Sequence, residues 1–179
     1  MVLNIRIFQQ SERNCIFRLF FYIMMKGGIY MDIDSLKASK KTDQLFLVCV
    51  DHYDTSHATF YYYKKEEKWE LVLQTPALIG QRGMGEGKEG ARQTPIGEYT
   101  FGKLMGIAPN PGTKMDYHQI TEDDYWCGEQ YYNEFVDEKT MDHSHCTKEN
   151  DERLIDYTKP DEYTAFFNYN KECIKGKGS

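Results

Sequence analysis

Three short runs between Leu45 and Gln74 constrain the fold more than any other feature of the chain. Leu45-Phe46-Leu47-Val48-Cys49-Val50 is wholly apolar, Thr59–Lys64 is aromatic and β-favouring, and Trp69-Glu70-Leu71-Val72-Leu73-Gln74 follows as a partner. Turn-like Asp51–Ser56 and charged Glu66–Lys68 separate them. Runs this short, bounded by polar turns, are strands rather than helices, and together they predict a meander of two or three antiparallel strands. Pro76 donates no backbone N–H, so Ala77–Ile79 can continue the third strand only at a sheet edge. Aromatics make up 15% of the 179 residues, with 14 Tyr and 10 Phe. That share leans toward strands and is too large for a disordered chain. The length fits one domain, or one domain with an appendage.

Charge is spread unevenly. Residues 1–41 carry seven bases and three acids, a net +4, whereas residues 116–162 carry fifteen acids and four bases, a net −11; the whole chain is −6. An acidic chain lacks the basic footprint of a general nucleic-acid binder, so no nucleic-acid partner is expected. The plain reading of the acidic stretch is a solvated face, with a metal site as the lesser alternative. Cys15, Cys49, Cys127, Cys146 and Cys173 are odd in number and contain no Cys-x-x-Cys pair. This is neither a disulfide framework nor a zinc ribbon, and Cys49, inside its apolar run, reads as a small buried hydrophobe. No apolar run approaches the roughly 18 residues of a spanning helix.

Residues 1–40 read as an N-terminal extension, with the domain proper at 41–179. Leu19–Met25 is a short apolar block behind Arg13 and Arg18. This is the outline of an export signal without its small-residue cleavage site. Either residues 13–25 make membrane or secretion contact and residues 1–30 direct the chain to the cell envelope, or the natural start is Met24, Met25 or Met31. Further along, Gly85-x-Gly87-x-x-Gly90 matches the dinucleotide fingerprint in letters only. Pro95 stops the helix that the fingerprint requires, and Lys88 precedes Glu89 rather than Ser or Thr. No cofactor is expected. Gly80–Gly90 reads as a flexible surface loop. Ile96–Phe101, Tyr117–Thr121 and Tyr163–Asn170 read as strands, and Lys148–Tyr157 as one short amphipathic helix.

The order of features points further. Trp69 precedes a Gly80-x-x-Gly83 loop; then come Lys88-x-Gly90, Thr94-Pro95-Ile96-Gly97-x-Tyr99 and Phe101-Gly102. Pro109-Asn110-Pro111-Gly112, Met115-x-Tyr117, Trp126, Tyr132-Asn133 and Tyr163…Tyr169-Asn170 complete the series. From about Leu45 to Ser179 this resembles the catalytic domain of the L,D-transpeptidase (YkuD-like) family. Lys88, Gly90, Thr94, Pro95, Gly97 and Tyr99 form the most specific block. The resemblance implies a mainly β sandwich with one or two short helices, and acyl transfer on peptidoglycan stem peptides through a cysteine thiolate raised by a histidine. Substrate contacts are expected at the aromatics Trp126 and Tyr132, with Tyr131 beside them.

The family's histidine and Gly-Cys lie downstream of the Tyr-Asn strand, and here there is no His after His145 and no Gly-Cys pair. No catalytic residue carries over. Loss of nucleophile and base together costs on the order of 10⁶-fold in rate, so no turnover is expected. The expectation is therefore an incomplete sandwich of marginal stability, with the Tyr163–Asn170 strand left at an open, aggregation-prone edge. His143-Ser144-His145-Cys146 falls in the acidic connector. Adjacent residues on extended backbone point to opposite sides, so His145 and Cys146 make a poor base and nucleophile. Two alternatives to the transpeptidase lineage remain: a non-catalytic wall-binding module, and an acidic metal-binding protein using His143, His145 and Cys146 beside Asp142. His118 reads as a satisfied strand residue.

Overall fold

A computed structural model describes residues 3–4 and 19–25 as backbone, and residues 32–144, 151–157 and 162–178 in full. In chain order the strands are β1 (Leu3–Asn4), β2 (Leu19–Met25), β3 (Gln44–Val50), β4 (His57–Lys65), β5 (Trp69–Leu78), β6 (Met84–Gly85) and β7 (Thr94–Pro95). They continue with β8 (Gly97–Gly106), β9 (Tyr117–Gln119), β10 (Asp124–Cys127), β11 (Glu134–Asp137), β12 (Glu152–Arg153) and β13 (Thr164–Phe167). Single 3-10 turns lie at Ile33–Ser35, Ala38–Lys40 and Leu154–Asp156. The protein is mainly β, and among the described residues no helix reaches seven residues or is long and apolar enough to cross a membrane. The chain divides into two compact units, Arg13–Phe101 and Met1–Glu12 with Gly102–Ser179.

In the first unit the strand order is β8-β2-β3-β4-β5. The expected meander is present: β3 pairs with β4 and β4 with β5, all antiparallel. β3 is buried along almost its whole length, the pattern of a strand covered on both faces. Its alternation sends Leu45, Leu47 and Cys49 into a cluster with Ile33, Leu36 and Ala38, flanked by Tyr61, Tyr63 and Trp69. Phe46, on the opposite face, packs against the rings of Phe60, Tyr62 and Phe101 at 4.9–5.5 Å. Each such burial contributes about 1.5–3 kcal/mol.

Within residues 1–40, set apart in the sequence reading, the described segments pair or pack with the body of the chain. Leu19–Met25 is strand β2, parallel to β3 and antiparallel to β8. Seven apolar residues match the length of a strand as well as that of an export signal. Residues 13–18 of the same segment lie outside the described residues. Ile33, Leu36 and Ala38 enter the core because the two 3-10 turns fold them back over β3.

The Gly80–Gly90 loop is pinned rather than free over its first half. Gly83, at φ +76°, passes so close to Tyr53 that a Cβ would lie 1.9 Å from the Tyr53 carbonyl oxygen. That oxygen accepts the Met84 N–H at 2.7 Å, and Met84 is buried.

In the second unit β13 lies between β1 and β8, and β9 runs parallel to β8. The strand expected at an open edge is therefore paired on both sides. A separate sheet runs β11-β10-β12, its hairpin matching Asp124 to Asp137 and Cys127 to Glu134. The sequence reading left this hairpin unassigned, although Asn133 supplies the left-handed residue its turn needs, at φ +64°. The helix expected over Lys148–Tyr157 is corrected. Its described part is strand β12 followed by the 3-10 turn, because pairing of Glu152 and Arg153 with β10 takes precedence over local helix preference. Leu154 then joins Met105 and Ile120 in the core of this unit.

Candidate functional site

β10 organises the polar chemistry of the second unit. Its residues alternate, so Asp124 and Trp126 leave one face and Tyr125 and Cys127 the other. On the first face Asp124, with only 1% of its surface exposed, has its Oδ2 accept the Thr121 N–H at 2.6 Å and face His118 Nε2 at 2.8 Å. A carboxylate only accepts, so the proton of that contact belongs to His118 Nε2. The His118 ring meets the Phe135 ring edge-on, and Lys103 Nζ lies 3.5 Å from the Phe135 centroid. Burial holds the Lys103 ammonium below the ordinary lysine range, with Asp116, Asp124 and Asp137 acting the other way. His118 is thus a hydrogen-bonded strand residue, in keeping with the sequence reading.

On the opposite face Tyr125 packs against the His143 ring at 4.6 Å, and Cys127 reaches the same place. Burial, reinforced by Glu138, pushes the Tyr125 phenol above its usual range. Asp151 immediately precedes β12. The antiparallel register, Trp126 opposite Glu152, brings Asp151 alongside Cys127. Asp151 Oδ1 accepts the Gly128 N–H at 2.9 Å, and His143 Nε2 donates to Asp151 Oδ2. The Cys127 sulfur accepts the Tyr131 N–H at 3.3 Å. The ligand atoms of Cys127, His143 and Asp151 all lie within 4.8 Å of one another. Cys127 has no exposed surface, and the side chains of His143 and Asp151 are 9% and 2% exposed. A substrate carbonyl cannot reach such a thiol. The arrangement offers three atoms of metal-ligating type rather than an accessible nucleophile.

The other expected positions fall as follows. Lys88 is exposed and ion-paired with Glu86, which raises its pKa, and Gly90 takes φ +68° in the open. Thr94 is completely buried; its Oγ1 accepts the Gly80 N–H at 2.8 Å, while β7, formed by Thr94 and Pro95, pairs with β6. Tyr99 folds back over Gly97 to donate its hydroxyl to the Ile96 carbonyl at 2.9 Å. All of these lie in the first unit.

In the second unit Trp126 stacks on Phe166 at 4.4 Å, and Tyr132 is buried with its hydroxyl accepting the Gly178 N–H. Both rings are thus part of the internal packing. Asn170 ties the same end of the chain, donating to the carbonyls of Ile174 and Gly178. Cys173 directs its thiol at Glu134, and desolvation together with that carboxylate pushes its pKa up, which lowers the thiolate fraction.

Asp142 is exposed, and His145 and Cys146 lie outside the described residues. Of the described members of the expected metal-binding group, His143 enters the observed cluster and Asp142 does not. Cys127 and Asp151 were missed because no spacing motif links them to His143: strand pairing brings Cys127 and Asp151 together, and His143 joins them from the segment after β11. No family model, curated protein or solved structure matches the chain.

Proposed function

We propose that the protein is a peptidoglycan-binding domain of the L,D-transpeptidase kind that holds stem peptides without turning them over. The observation that carries this reading is the construction of the Lys88–Tyr99 block. Thr94 is buried and holds the Gly80 turn, β6 and β7 pair in parallel, and Tyr99 closes over Gly97. A recognition loop fixed before its ligand arrives loses little freedom on binding. Lys88 stands at its rim, and its ion pair with Glu86 lies in solvent, where such pairs are weak enough for a stem-peptide carboxylate to displace. The described thiols support absence of turnover: Cys49 and Cys127 are buried, and desolvation with the Glu134 carboxylate pushes the Cys173 pKa up; the sequence contains no Gly-Cys pair.

The test is co-sedimentation of the full chain with purified wall sacculi, alongside a D-amino-acid exchange assay. Retention is expected, weakened in a Lys88→Glu variant whose circular dichroism matches the parent, with no exchange in either arm. Equal recovery of both proteins in the supernatant overturns the binding reading. Exchange by the parent chain overturns the absence of turnover.

A further inference from the structure

We infer that Cys127 Sγ, His143 Nε2 and a carboxylate oxygen of Asp151 bind one divalent transition-metal ion of the zinc class. The three donors come from the end of β10, from the segment after β11 and from the residue before β12, and they converge within 4.8 Å. Thiolate, imidazole and carboxylate together suit zinc or cobalt and not magnesium or calcium, which take oxygen ligands.

The surroundings carry the supporting groups such a centre requires. The second ring nitrogen of His143, Nδ1, faces Glu138 Oε1 at 3.9 Å, and Asp151 Oδ1 is oriented by the Gly128 N–H. Ligating histidines characteristically give their other N–H to a carboxylate, and an inward shift of the half-exposed Glu138 side chain by about 1 Å would form that bond here. The charges also close: a divalent cation, one thiolate, one carboxylate and a neutral imidazole sum to zero, the least costly state for a buried group. The stretch of residues 116–162, at net −11, draws cations toward it.

Binding displaces the Cys127 thiol proton to solvent. It also moves the imidazole proton from Nε2, where it bridges to Asp151, to Nδ1, on the side of Glu138. A tetrahedral zinc ion separates nitrogen and oxygen ligands by about 3.3 Å and sulfur and nitrogen ligands by about 3.6 Å. The His143–Asp151 hydrogen bond therefore opens while the sulfur draws inward. Water takes the fourth position. The ion would staple β10 to the segments bearing His143 and Asp151, whether or not the protein binds cell wall.

The experiment uses the full chain stripped with a chelator and titrated with cobalt(II). One equivalent is expected to produce a thiolate-to-cobalt charge-transfer band and intense tetrahedral d–d bands, both displaced by zinc. The charge-transfer band disappears in Cys127→Ser and persists in Cys146→Ser and Cys173→Ser. Asp151→Asn weakens binding by on the order of tenfold or more. Absence of the band in the parent, its survival in Cys127→Ser or its loss in Cys146→Ser overturns the assignment. Should Cys127→Ser not fold, the melting temperature of the parent decides. A rise with zinc but not magnesium, lost in His143→Gln, supports the site; identical melting with and without zinc overturns it.

Discussion

At the scale of single residues, Lys103 illustrates how burial and charge compete. Its ammonium rests on the Phe135 ring, and desolvation lowers its pKa from the ordinary 10.5 despite three aspartates nearby. A lysine whose folded pKa lies below its unfolded value binds fewer protons folded than unfolded between the two values. Its burial therefore penalises the fold fully below the folded pKa, and the penalty fades as pH rises toward 10.5. Burial pushes the phenols of Tyr62 and Tyr117 up, so their contribution runs in the opposite sense at alkaline pH. Lys103 must therefore be isolated by difference. Urea unfolding of the parent and of Lys103→Met is expected to give a stability difference, variant minus parent, that falls as pH rises from neutral toward the unfolded lysine value. A difference that stays constant across that range would show that the ammonium carries no burial penalty.

At the scale of elements, β5 is the exposed edge of its sheet. It closes the strand order, and Leu71, Val72, Leu73 and Leu78 all stand exposed, with Pro76 inside it as an edge allows. The register against β4 shifts between Tyr62 and Tyr63, leaving Val72 as the extra residue of a bulge. Val72→Lys should therefore change unfolding free energy by no more than about 0.5 kcal/mol while reducing self-association in size-exclusion chromatography and light scattering. A loss above about 2 kcal/mol would mean that the bulge side chain is packed.

This edge and its two partners were legible in the sequence because each run is short, apolar or aromatic, and bounded by turn residues. β10 and β11 were not, because Tyr125, Trp126, Phe135 and Val136 sit among acids that mask any period. β12 was misread because Leu154 and Ile155 in a charged frame suit a helix as well as the end of a strand. The parallel pairing of β2 with β3 was illegible for another reason. A seven-residue apolar block carries the same letters whether it enters a sheet or an export channel.

At the scale of the whole molecule, the candidate metal cluster was only partly legible. His143 was visible as a ligand type in an acidic connector, but its partners are fixed by hairpin and strand register rather than by spacing, and register is set by side-chain packing that a linear pattern does not display. The charge asymmetry, by contrast, is fully legible and has a consequence of its own. In residues 116–162 acids outnumber bases fifteen to four, and the two described cations there are already engaged, Lys139 with Asp123 and Arg153 with Glu122 and Asp156. Folding brings the remaining carboxylates closer than in the open chain, so their mutual repulsion opposes the fold. Salt acts on both kinds of interaction: it weakens the surface pairs, each worth little, and it screens the more numerous repulsions. The screening length falls from about 30 Å at 0.01 M to about 8 Å at 0.15 M ionic strength. The melting temperature in metal-free buffer is therefore expected to rise over that range of sodium chloride, with most of the rise lost when the exposed Asp116, Glu134 and Glu152 are replaced together by asparagine or glutamine. A melting temperature that falls with salt would mean that attraction, not repulsion, governs this face.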